Sequence, residues 1–322
     1  MYRIGVDLGG TNIAVGLVDE NYKIVRKESV PTNAKTRSGE EIVDDIAALC
    51  KRLCEEEGIA IADIKAIGVA SPGVADFKRG VVEYSCNLPF RRFPICRLLS
   101  ERTGVASVHV ENDANTAAFG EAIAGAARGT RNSVMITLGT GVGGGIIIDG
   151  KVYAGFNFAG AELGHIVIER DGAPCNCGRR GCWESYSSAT ALIRMTCEKI
   201  DECRATGRST LMSDMLAESG KVSGRTSFDA MRAGDAAATE VVDQYIQYLA
   251  IGLTNIVNIF QPEVITIGGG ISGERENLLR PLVPLVEEKR YGAGFVQGPR
   301  IAIAELGNDA GIIGAAFLGI DL

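Results

Sequence analysis

Val6-Asp7-Leu8-Gly9-Gly10-Thr11-Asn12 and Ile136-Thr137-Leu138-Gly139-Thr140-Gly141-Val142 read alike, and the match runs ungapped from there to Asp19 over Asp149. In each stretch an apolar strand reaches a glycine turn and continues as a second apolar strand. An old duplication that left two lobes with a common strand-turn-strand opening accounts for this. Two unrelated glycine-turned hairpins are the rival account. Working outward, Tyr22 to Val30 reads as a third strand, and Ile42, Ile46, Leu49 and Leu53 fall at helical spacing within 39–57. A strand at 64–70, a helix near 94–101, a strand at 105–111 and a helix from Asp113 to about Ala127 follow. The second half carries helical patterns at roughly 185–203 and 236–260, a strand at 264–267, a helix near 274–288, a strand around 300–304 and a helix at 309–317. Alternation of strand and helix marks an α/β chain.

The chain has 322 residues, more than one compact core usually holds, so two lobes are expected. Hydrophobic residues at 46% and charged residues at 23% exclude a largely disordered chain. A formal charge of -7 disfavours a polyanion-wrapping surface, and nucleic acid is not expected as a partner. No apolar run approaches the roughly 20 residues of a membrane helix, and Met1-Tyr2-Arg3 leads straight into a strand, so no membrane association and a cytoplasmic location are expected. The nine cysteines are an odd number with no export signal, which suits reduced thiols.

Asp7, Gly9, Gly10, Thr11 and Asn12 place a strand-end carboxylate, two glycines and a hydroxyl together, a set suited to phosphate with magnesium. A plain hairpin turn is the alternative. Gly139 to Gly144 formally satisfies G-x-G-x-x-G, but Gly145-Ile146-Ile147-Ile148-Asp149-Gly150 after it reads as a strand and a turn. A dinucleotide site needs a helix there, so that reading fails on context. Gly268-Gly269-Gly270 follows an apolar strand, either to pass under an adenosine or simply to make a tight strand-to-helix turn.

Val108-His109-Val110-Glu111-Asn112-Asp113 puts Asn112 and Asp113 at a strand end, where α/β sheets place ligands. Asp113 is a candidate base and equally a natural helix N-cap. Asn112 and Asn87 offer amides suited to sugar hydroxyls. His165 with Cys175, Cys177 and Cys182 forms a Cys3His set, which fits a closed, structural zinc site. Such a site would hold Glu162, His165 and Glu184 as a supporting shell for a ligand.

Taken together, Asp7-Leu8-Gly9-Gly10-Thr11-Asn12, Glu111-Asn112-Asp113, Leu138-Gly139-Thr140-Gly141, Glu162-Leu163-Gly164-His165, the Cys175-x-Cys177-Gly178-x-x-Gly181-Cys182-x-Glu184 loop and Gly268-Gly269-Gly270 resemble the ROK family of sugar kinases, repressors and open reading frames. That family lies within the actin-like ATPase superfamily. The resemblance implies a two-lobed actin-like (ribonuclease H-like) α/β fold with a zinc-bound loop and ATP in the cleft between lobes. The lobes expected are 1–115 plus 305–322, and 116–304. It implies ATP-dependent phosphorylation of a hexose 6-hydroxyl, glucose first and N-acetylmannosamine or another hexose as the alternative, with Asp113 as base. Sugar binding falls to Gly73, Asn87, Asn112, Asp113, Glu162, His165 and Glu184. Nucleotide and Mg2+ binding falls to Asp7, Gly9, Gly10, Thr11, Asn12, Thr140, Gly141 and Gly268 to Gly270, and structural Zn2+ to His165, Cys175, Cys177 and Cys182. A homodimer is a family-level expectation. Many relatives carry a Trp soon after the Asn-Leu-Pro segment, whereas Phe90-Arg91-Arg92-Phe93 follows here. The family also holds repressors with an N-terminal helix-turn-helix; this chain opens on its first strand, and a non-catalytic sugar sensor remains the competing reading.

Overall fold

The computed structural model describes residues 1–320. The chain forms two compact units, one of residues 1–135, 145–161 and 304 onward, the other of 136–144 and 162–303. It opens with β1 (Tyr2–Leu8), β2 (Asn12–Asp19), β3 (Ile24–Pro31) and α1 (Gly39–Glu56). Ser38 and Glu41 cap α1 reciprocally, and its buried Ile42, Ile46, Leu49 and Leu53 are the residues the helical spacing singled out. Next come β4 (Ile67–Ser71), β5 (Val74–Asp76), β6 (Val81–Tyr84), β7 (Arg91–Phe93), α2 (Ile95–Thr103), β8 (Val108–Asn112) and α3 (Asp113–Ala124). The second strand-turn-strand is β9 (Ser133–Leu138) and β10 (Val142–Ile148), then β11 (Lys151–Val152). The helices α4 (Glu184–Ser187), α5 (Ala189–Thr206), α6 (Leu211–Ser219), α7 (Thr226–Arg232) and α8 (Ala236–Phe260) follow. The chain closes with β12 (Val264–Gly268), α9 (Glu276–Lys289), β13 (Arg300–Ile303) and α10 (Ala310–Ala316).

The two openings match in detail. β1 ends at Leu8 and β2 begins at Asn12, while β9 ends at Leu138 and β10 begins at Val142, the same registry as in the sequence match. In both turns the first glycine closes the loop: Gly9 N–H donates to the Asn12 carbonyl at 2.9 Å, and Gly139 N–H to the Gly141 carbonyl at 3.0 Å. One five-stranded sheet runs β3-β2-β1-β4-β8, with β1 antiparallel to β2 and parallel to β4. A second runs β11-β10-β9-β12-β13, with β12 and β13 parallel. The small β5-β6-β7 sheet, α6 and α7 are not among the elements read from the sequence.

Glycines let α10 lie directly on the first sheet. Gly5 and Gly68 are register partners, and a Cβ on either would fall 1.8 Å from the Ile312 carbonyl oxygen or 1.7 Å from that of Ala315. No side chain fits there. α3 meets α10 the same way, since a Cβ at Gly120 would lie 2.3 Å from the Ala310 carbonyl oxygen and one at Gly314 2.0 Å from that of Thr116. This packing keeps all of α3 in the first unit, so the boundary expected at 115/116 falls inside a continuous helix. Among the described residues no helix is long and apolar enough to cross a membrane.

Candidate active site

In the first unit, β1 delivers Asp7 beside the Gly9-Gly10-Thr11-Asn12 turn. Thr32, fully buried, fixes that turn by donating its hydroxyl to the Gly9 carbonyl at 2.7 Å, and its amide to the Thr11 carbonyl, also at 2.7 Å. Asp7, Gly9, Gly10, Thr11 and Asn12 line a cavity of about 650 Å³, with Lys27 also at its wall. Lys27 is already paired with Asp309 at 2.5 Å. The Asp7 carboxyl is pushed up to about 6, first by burial and second by the charge of Asp113. α10 backs this carboxylate closely: a Cβ at Gly311 would lie 3.1 Å from its carboxyl carbon.

Asp113 opens α3, but it is not the cap. Asn112 has extended backbone angles, and its Oδ1 accepts the amides of Ala114 at 2.9 Å and Asn115 at 3.1 Å. The bland role expected of Asp113 therefore belongs to its neighbour. Asp113 Oδ1 accepts the Ala114 amide, at 2.9 Å. Loss of surrounding water raises the Asp113 carboxyl, while the Ala114 amide and the Asn112 side chain pull it down. The side chain is exposed in the free protein, which limits the rise. Asn112 is the more committed residue: its Nδ2 donates to the Gly73 carbonyl at 3.1 Å. Buried Glu111 holds this corner by accepting the Asn112 amide at 2.8 Å and the Asn115 side-chain amide at 3.1 Å. Glu111 is part of the Glu111-Asn112-Asp113 motif, but the sequence assigns it no such role. Gly73 has φ 101°, and a Cβ there would lie 2.1 Å from the Tyr84 carbonyl oxygen, so only glycine brings this turn against β6.

In the second unit, His165, Cys175, Cys177 and Cys182 present donor atoms all within 4.8 Å of one another. His165 Nδ1 faces Cys175 Sγ at 3.7 Å, which leaves Nε2 available elsewhere. One imidazole and three thiols at this spacing fit a four-coordinate zinc ion. Glu184 links the cluster to the second glycine loop: Oε1 lies 3.7 Å from Cys175 Sγ, and Oε2 accepts the Val142 amide at 3.0 Å. A Cβ at Gly141 would lie 2.2 Å from that Oε2. The Thr140 carbonyl accepts the Thr190 hydroxyl at 2.8 Å. Glu162 is exposed, and its carbonyl accepts the His165 amide at 3.1 Å.

The Gly268-Gly269-Gly270 run turns the chain tightly at the end of β12. Gly269 has φ 83° and sits against the end of β9, where a Cβ would lie 2.5 Å from the Leu138 carbonyl oxygen. Gly270 faces open space and lines a polar recess of about 290 Å³ with Arg225, Arg232, Glu274 and Asn277. Those four come from α7 and the residue before it, α9 and the turn before α9, and no local pattern in the sequence marks them.

A model of the ROK family matches residues 3–321. A glucokinase of Halalkalibacterium halodurans is 40% identical over 320 residues, covering 98% of this chain and 94% of the relative. A glucokinase of Thermotoga maritima is 38% identical over 314 residues, 97% of this chain and 95% of the relative. Among solved structures, a ROK family glucokinase from Streptomyces griseus in complex with glucose and AMPPNP superposes with a TM-score of 0.78. It is 35% identical and each chain is 99% covered.

Proposed function

The chain belongs to the ROK family, and from that premise we propose that it transfers the γ-phosphoryl group of ATP to the 6-hydroxyl of a hexose, glucose first, with Asp113 as general base. The observation that carries this reading is the division of labour at the start of α3. Asn112 ties off the helix, so the Asp113 carboxylate is free to take a proton at Oδ2. As the sugar oxygen forms its bond to the γ-phosphorus, ADP departs with the electrons of the broken P–O bond, and the hydroxyl proton passes to Asp113.

Asp7 is half-buried beside the glycine turn and raised by its surroundings, which suits it to a divalent cation carried in with the nucleotide. When bound, Mg2+ neutralises charge on the phosphates. The amides of Gly9 and Gly10 and the Thr11 hydroxyl, with Asn12, Thr140 and Gly141, are assigned to the phosphates. Gly268 to Gly270 are assigned to the nucleoside. Gly73, Asn87, Asn112, Glu162, His165 through Nε2 and Glu184 are assigned to the sugar. His165, Cys175, Cys177 and Cys182 would hold zinc, whose charge stabilises the thiolates and fixes the imidazole ring. A homodimer in the cytoplasm, where ATP and reduced thiols coexist, completes the reading.

The test is ADP release measured with each of a panel of hexoses, N-acetylated ones included. Sugar-dependent release with the highest kcat/KM for glucose is the expected result. Binding of glucose without ADP release would leave a sugar sensor, and a higher kcat/KM for an N-acetylhexose would move the substrate assignment.

A further inference from the structure

The stretch between β6 and β7 presents Asn87. Leu88 and Phe90 are buried beneath it, with Phe90 stacked on Phe93 at 4.4 Å between ring centroids. Cys86 and Asn87 stand exposed at its tip. Arg91 closes the loop from the side. Its Nη1 donates to the Ser85 carbonyl at 2.5 Å and the Phe90 carbonyl at 2.6 Å, the two ends of the loop. Its guanidinium lies 4.3 Å from the ring centroid of Tyr84, its cross-strand partner. A planar guanidinium can stack and hydrogen-bond at once, which an ammonium cannot.

The tip also rests on the phosphate turn: a Cβ at Gly10 would lie 3.2 Å from both the Asn87 Cβ and its carbonyl oxygen. Tyr84, on the other flank, abuts Gly73, whose carbonyl is bound by Asn112. One loop thus touches the Gly9–Asn12 turn on one side and the Gly73–Asn112 pair on the other.

We propose that Arg91 is a positioning residue for the sugar: by tying Ser85 to Phe90 and stacking on Tyr84, it holds Asn87 at a fixed place against Gly10. This rests on the sugar-kinase reading above. A loop fixed in advance loses less freedom when it meets a ligand, so loss of the clamp falls on binding of the sugar. Because the same loop backs the phosphate turn, it also couples the sugar to the nucleotide.

The experiment compares R91A, R91K and N87A with the native enzyme, by steady-state kinetics and by calorimetric binding of glucose with and without AMPPNP. For R91A the glucose KM should rise roughly tenfold, with kcat within about twofold, and any tightening of glucose by AMPPNP should shrink. R91K keeps a charge near the carbonyls but not the stack, and should recover part of the loss. It carries the test alone should R91A fail to fold. N87A should raise the glucose KM at least as much as R91A. If N87A raises it while R91A and R91K stay within twofold of native, Arg91 is no positioning residue, although the sugar site stands. If N87A itself leaves glucose binding unchanged, the loop does not meet the sugar and the proposal falls with its premise. A fall in kcat at unchanged KM in R91A would likewise overturn it.

Discussion

Replacing Asp7 by Asn should destroy the enzyme and stabilise the protein. The Asp7 carboxyl is raised from 3.8 to about 6 by burial and by Asp113. A carboxyl with a raised folded-state pKa takes up a proton on folding between those two values. The associated stability is fully present below pH 3.8 and is lost as pH rises through about 6. At 1.36 kcal/mol per pKa unit the loss at neutral pH is about 3 kcal/mol, and about half of it has accrued by pH 5. Asn cannot ionise, so the variant avoids the loss. Chemical unfolding of both proteins at pH 5.0 and 7.5, without nucleotide or magnesium, reads the difference directly. D7N should be the more stable protein at pH 7.5, by about 3 kcal/mol at most, with a margin that narrows by about half at pH 5. A D7N protein no more stable than native at pH 7.5, or a margin that does not change with pH, would refute the assignment of a strained carboxylate at the phosphate turn.

Stripping zinc with a chelator should cost glucose affinity far more than ATP affinity by calorimetry, because the cluster holds His165 and Glu184; normal glucose binding by the metal-free protein would contradict this. Gly141→Ala would push its Cβ to within 2.2 Å of Glu184 Oε2, so the carboxylate must move, and the glucose KM should rise roughly tenfold with the fold intact by circular dichroism. Gly68→Ala has no such escape, since the obstacle is the α10 backbone at 1.7 Å; the variant should lose at least about 3 kcal/mol or fail to accumulate folded, as thermal unfolding will show.

Both strand-turn-strand units were legible because glycine turns between apolar runs leave an unmistakable pattern, and the structure keeps the same step from the end of one strand to the start of the next in both. The Cys3His set was legible because its donors lie close in sequence. The capping relation at α3 was not, since Asn112 and Asp113 are both good caps and only the backbone angles at Asn112 separate them. Likewise the sequence could mark Gly5 and Gly68 only as glycines in strands; the need for them arises from α10, over two hundred residues further along. The recess beside Gly270 and the Arg91 clamp are assembled from side chains whose spacing carries no period, and they become visible only once the loops are folded.

The account stands most directly on Asp113→Asn, assayed for turnover with ATP and glucose and, in parallel, for glucose binding by calorimetry. Turnover should fall by at least the ~10²- to 10⁴-fold typical of a lost general base, with the glucose Kd held within a few-fold of native. Turnover close to native with the amide in place would mean that the proton leaves the sugar by another route, and Asp113 would have no part in the chemistry.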